Sequence, residues 1–135
     1  MVFIFVQSAM PGKVSGAESN IIVQFIAGIT GWNEHILSVI VRKAAHFTEF
    51  LLLGICLSIN MYDLAANHAV PKPLLKAWII GTIYAVTDEL HQSFVPGRAC
   101  SFKDVAIDSA GVACGVLIFF ALKKSRKNKQ KQLQT

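Results

Sequence analysis

The chain has 135 residues, enough for one domain, yet 53% are hydrophobic, only 16% are charged and the mean hydropathy is +0.50. That is too apolar for an ordinary soluble domain of this size. The formal charge of +5 comes from a tail and not from a basic surface: six of the 13 Lys and Arg fall between Lys123 and Lys131 with no acid among them, a pattern read as a topology signal and a contact for anionic lipid, with no nucleic acid as partner.

Met1 to Met10, MVFIFVQSAM, is apolar but far short of the about 20 residues needed to cross a hydrocarbon layer about 30 Å thick. It lacks the basic start and small-residue cleavage site of a signal peptide and leads into the polar stretch Pro11 to Asn20. Ile21 to Ile29, closed by Thr30 and Gly31, is again too short to span; it reads as a short helix at the interface with Trp32 as its anchor.

Three longer helices follow. The first runs from about His35 to Tyr62 and contains LLLGICLSI, with Arg42, Lys43, His46 and Glu49 in its front half. The second runs from about Leu74 to Phe94, entered through Pro71 and Pro73, which suit a loop and a helix start, and carries Asp88, Glu89, His91 and Gln92 at its far end. The third begins near Asp104, holds Asp108 one turn further in and ends at Leu122. Backbone polar groups have no water to bond in a bilayer, so spanning segments are helical. The expected fold is an all-α, polytopic transmembrane helix bundle of three full spans plus a short N-terminal helix, with one membrane domain over residues 1–122 and a basic cytoplasmic tail over 123–135. Placing the tail inside puts the Val95 to Lys103 loop outside and the Asp63 to Pro73 loop inside, where Lys72 and Lys76 agree. The polar ends of all three helices then gather at the extracytoplasmic face.

Arg42, His46 and Glu49 are spaced four then three and share a helix face; Lys43 points off it and reads as snorkelling to headgroups. Asp88, His91 and Gln92 share a face by the same rule, with Tyr84 one turn deeper, and Asp104, Asp108, Gly111 and Gly115 form a third stripe whose glycines allow close helix approach. Charges near the membrane centre cost at least about 2.5 kcal/mol each, so they are paired, wetted or used. Ion pairing by Arg42, Arg98 and Lys103 would account for any single acid, but less well for a whole set that includes two histidines. His46, Glu49, Asp88 and His91 offer nitrogen and oxygen ligands at helical spacing, but no HExxH or similar signature accompanies them, so no metal site is assigned and the cofactor is left open. Arg42 and Arg98, the latter on a turn set by Pro96 and Gly97, suit two-pronged binding of phosphate or carboxylate. Cys56, Cys100 and Cys114 form no CxxC pair and read as packing residues.

Three segments, RKAAHFTEF at Arg42 to Phe50, TDELHQSFVPGR at Thr87 to Arg98 and KDVAIDSAGVACG at Lys103 to Gly115, resemble in order and spacing the VanZ-like family of small bacterial membrane proteins. QSAMPGKVSGAES resembles the polar segment after that family's first helix, so the resemblance implies a full first helix that is truncated in this sequence. Asp108 stands where relatives often have Asn. The resemblance implies a multi-pass protein of the bacterial plasma membrane, linked through the name-giving member to teicoplanin resistance, and supplies no settled reaction or cofactor.

Three functions compete. In the first, the site binds or modifies an anionic amphiphile such as a phospholipid or lipid-linked wall precursor: Arg42 and Arg98 hold its phosphate, His46 oriented by Glu49 carries protons, Asp88 and His91 supply a second acid/base pair or metal ligands, and Gln92, Asp104 and Asp108 complete the ligand contacts. In the second, a non-enzymatic module, the polar cluster fixes helix packing and partner binding. The third, a small transporter, ranks last, because the chain is short, has no internal repeat and would need an oligomer. The glycine pair serves packing within one chain or between two.

Overall fold

The computed structural model describes residues 23–68, 71–94 and 101–132. Four helices are present there: α1 over 23–30, α2 over Glu34–His68, α3 over Pro73–Gln92 and α4 over Phe102–Gln132. The readings of Met1 to Met10, Arg98 and Cys100 lie outside the described residues.

Local chemistry sets each boundary. Gly31, with φ 68°, takes the left-handed conformation that only glycine adopts cheaply and ends α1, its N–H reaching the Ala27 carbonyl at 2.8 Å. Asn33 then caps α2, its Oδ1 accepting from the His35 N–H at 2.9 Å. Lys72 at the start of α3 also lies in the left-handed region, held between Pro71 and Pro73, and Pro73 fills the first helical position, where its missing N–H costs nothing. α4 starts two residues ahead of the expected Asp104 and runs ten past Leu122. The expected end marked where apolar residues stop, but Lys, Arg and Gln are good helix formers and no Gly or Pro interrupts them, so the basic segment continues the helix. The same holds for α2, which passes Tyr62 and ends at His68.

α2, α3 and α4 pack together, with the most extensive interface between α2 and α4. Their core is small: Phe50 and Leu53 from α2, Ala85 from α3 and Val112 from α4, flanked by Leu57, Tyr84 and Val116. Val112 lies between two glycines, Gly54 and Gly81. Gly111 and Gly115 sit against the α2 backbone at Phe47 and Leu51, so the glycine pair is used within the chain. Thr82 and Ser109 share a hydrogen bond of 2.9 Å across α3 and α4.

The distribution of polarity is inverted relative to a soluble protein. Asp88 (2% exposed), Glu89 (3%) and Asp108 (2%) are buried, while Leu52, Ile83, Leu117 and Phe120 face outward. An outward apolar surface of this kind is stable in lipid, where it faces hydrocarbon, and the helices are then held by close packing and interhelical hydrogen bonds. α2 over Glu34–Asn67 and α4 over Phe102–Gln130 are long and apolar enough to cross a membrane. α3 has 20 residues and carries Lys76 near one end and Asp88 and Glu89 near the other. Cys56, expected to pack, is exposed on α2, and Cys114 is half-buried.

Candidate functional site

The first turns of α2 beyond Ile40, the last turn of α3 and the first turns of α4 meet at one end of the bundle. The stripe at 43, 47, 50 and 54 explains how α2 delivers its charge there: Phe50 is wholly buried, Phe47 and Gly54 lie against α4, and Lys43 continues the same face. Lys43 makes an ion pair with Asp104. This corrects the reading of Lys43 as snorkelling away; extending the apolar stripe back one turn would have found it.

On α3 the inward stripe is Ala77, Gly81 and Ala85, and it continues into Asp88, Glu89 and Gln92, all buried. Gln92 donates from Nε2 to Asp88 Oδ2 at 2.8 Å. Glu89, which the sequence reading left without a role, accepts the Ser101 N–H on Oε1 at 2.7 Å. Ser101 and Asp104 have the spacing of a capping box, in which Asp104 would take that N–H. Here the neighbouring helix supplies the acceptor, and Asp104 is released to Lys43. Glu89 therefore pins the start of α4 to the end of α3. Glu89→Ala should cost about 1–3 kcal/mol through the lost acceptor and raise hydrogen exchange at the start of α4, whereas Glu89→Gln, which keeps a carbonyl oxygen, should leave exchange near wild type.

One ligand atom from each of His46, Asp88 and Asp108 lies within 4.8 Å of the others. Each comes from a different helix; the two aspartates are buried and His46 is half-buried. The sequence grouped His46 with Glu49, Asp88 and His91, but the gathered set among the described residues draws its third member from α4. Glu49 and His91 are half-buried nearby in the chain, on the helices that carry His46 and Asp88, and Arg42 is exposed one turn ahead of His46. Two carboxylates and an imidazole converging at this distance form the oxygen-rich donor set that suits a divalent cation such as Mg²⁺ or Mn²⁺, with Zn²⁺ also compatible.

A family model described as VanZ/LLP1 matches residues 1–123, which takes in all four helices up to the first lysine of the basic segment and every residue of this cluster. The chain belongs to the VanZ/LLP1 family. Among curated proteins and among solved structures, nothing matches it. Membership, the outward apolar surface and the two long apolar helices together make this VanZ/LLP1 chain a membrane protein. The resemblance seen in the sequence is thus established at the level of the family, and all three motifs lie inside the matched span.

Proposed function

We propose that the cluster at the polar end of the bundle binds the phosphate of an anionic lipid or lipid-linked wall precursor through a divalent cation held by His46, Asp88 and Asp108. The observation that carries this is the convergence of those three ligand atoms within 4.8 Å. Two buried carboxylates side by side repel both each other and a phosphate; a cation between them reverses the local sign and turns the acidic cluster into a phosphate receptor. Arg42 and Arg98 keep their part as outer contacts for the anion. Gln92 fixes the Asp88 carboxylate by donating to it. Glu49 and His91 are the proton carriers available to any chemistry on the bound group.

In this reading α3 crosses the membrane together with α2 and α4. Its acidic end is buried between two apolar helices and so kept from lipid, and Lys72 and Lys76 lie at the end that carries the basic segment of α4, the distribution the positive-inside rule favours for a cytoplasmic C-terminus. The cluster then opens at the outer face of a bacterial plasma membrane, where wall precursors are consumed and where teicoplanin acts.

The test is profiling of phospholipids and lipid-linked precursors, with teicoplanin sensitivity, in cells expressing wild type, His46→Gln and Asp88→Asn at matched membrane abundance. A lipid species or phenotype that depends on the wild type and is lost in both variants is the expected result. Retention in both would favour the non-enzymatic module, which has its own supporting observation: Lys43–Asp104, Gln92–Asp88 and Ser101–Glu89 are bonds internal to the bundle.

A further inference from the structure

At the opposite end of the bundle, α2, α3 and α4 enclose a groove of about 470 Å³ that the cluster does not use. That volume lies within the about 300–1,000 Å³ usual for small-molecule sites. Its walls are apolar: Tyr62 from α2, Leu74 and Leu75 from α3, Phe119 and Phe120 from α4. Tyr62 and Phe119 meet edge to face with centroids 5.9 Å apart, which makes a fixed aromatic wall.

The rim has a single sign. Lys72 opens α3, and Lys123 and Lys124 with Lys127 one turn on follow on α4; among the described residues no acid lines the groove. Lys123 Nζ stands 3.9 Å from the centroid of the Tyr62 ring, a cation–π contact that holds its ammonium at the mouth. The N-terminus of α3 adds to the same field. Its cap residue makes no side-chain cap hydrogen bond, and the first-turn residues Leu74 and Leu75, whose N–H groups carry the positive end of the helix dipole, border the groove.

We propose that this groove binds one anionic glycerophospholipid, an acyl chain lying along Tyr62, Leu74 and Phe119 and the phosphate resting on the lysine rim at the start of α3. The charge complementarity selects the occupant: a zwitterionic lipid presents its own cation to four lysines, and an anionic one does not. The site is separate from the cluster, so it stands or falls independently of the function proposed above.

Native mass spectrometry of the detergent-solubilised full chain in EDTA, which keeps any divalent cation from the cluster, tests it, with phosphatidylglycerol, phosphatidylcholine and glycerol 3-phosphate as probes. Wild type should retain one phosphatidylglycerol in preference to phosphatidylcholine, and glycerol 3-phosphate, which has no chain to bury, should fail to displace it. Lys123→Gln, Lys124→Gln and Lys127→Gln should each weaken retention about fivefold, while the corresponding Arg variants keep it and show that the fold survives. Leu74→Trp, which fills the groove, should abolish it, and Gly28→Ala, outside both the groove and the cluster, should leave it unchanged. Equal retention of the two lipids, undiminished retention in the three Lys→Gln variants or in Leu74→Trp, or displacement by glycerol 3-phosphate would overturn the proposal.

Discussion

Gly115→Ala should destabilise the bundle by about 1–3 kcal/mol, and Gly115→Leu by more, although alanine in an open helix position is worth up to about 1 kcal/mol over glycine. The reason is what a Cβ would meet. At Gly115 it would collide with the Leu51 carbonyl oxygen, at Gly54 with the Val112 carbonyl oxygen, and at Gly111 it would lie 2.6 Å from the Phe47 carbonyl oxygen. These neighbours are backbone atoms of a facing helix and cannot rotate aside as a side-chain tip can. In a bilayer the helices gain nothing from hiding apolar surface from one another, so close approach is the main thing holding α2 to α4. Widening the gap also moves Asp108, one turn before Gly111, away from His46. Gly28, with nothing within 4 Å, is the internal control: Gly28→Ala should be neutral or slightly stabilising. Thermal unfolding of the purified variants in one detergent measures the difference. A Gly115→Ala protein as stable as Gly28→Ala would mean that the two helices stand further apart than described.

Asp88→Asn and Asp108→Asn should each weaken Mn²⁺ binding by about tenfold or more, since each removes a charged ligand, and even outer partners of a metal site are worth about 10–100-fold. Gln92→Leu, which removes the donor to Asp88 Oδ2, should fall at the low end of that range. Glu49→Gln should weaken Mn²⁺ binding less than either aspartate variant, because Glu49 is outside the gathered set. This separates the site as folded from the His46, Glu49, Asp88 and His91 quartet that helical spacing alone favours. Titration followed by the loss of the free Mn²⁺ resonance reads all four variants. Equal affinity in Asp88→Asn and wild type would remove the cation from the account.

The fold was largely legible because its helices announce themselves by length and apolarity, and because α1 ends at Gly31 and α3 opens at Pro73, residues with strong backbone preferences. At Leu122 the sequence carries only a change of side-chain polarity, which marks a membrane boundary and not a backbone one. The polar stripes placed His46, Asp88 and Asp108 on inward faces correctly, since each lies at three or four residues from a buried small or aromatic neighbour such as Phe50, Ala85 or Val112. Which members of the stripes meet across helices depends on rotation and axial offset, and those are set by contacts such as Gly111 on Phe47, invisible within one helix. That is why Asp108 replaced Glu49 and His91 in the gathered set. The roles of Lys43 and Glu89 are hidden in the sequence for a related reason: Lys43 lies on the buried face beside the one bearing Arg42, His46 and Glu49, and the Ser101 N–H that gives Glu89 its task belongs to another helix.

The most direct measurement is ³¹P relaxation of a short-chain phosphatidic acid in the presence of the purified protein and stoichiometric Mn²⁺. A paramagnetic ion held by His46, Asp88 and Asp108 and touching the lipid phosphate predicts relaxation that is accelerated well beyond Mn²⁺ in detergent alone, saturates with one ion per chain and is lost in Asp88→Asn. Relaxation no faster than the detergent control, or undiminished in Asp88→Asn, would contradict the assignment of this cluster as a cation-assisted phosphate site.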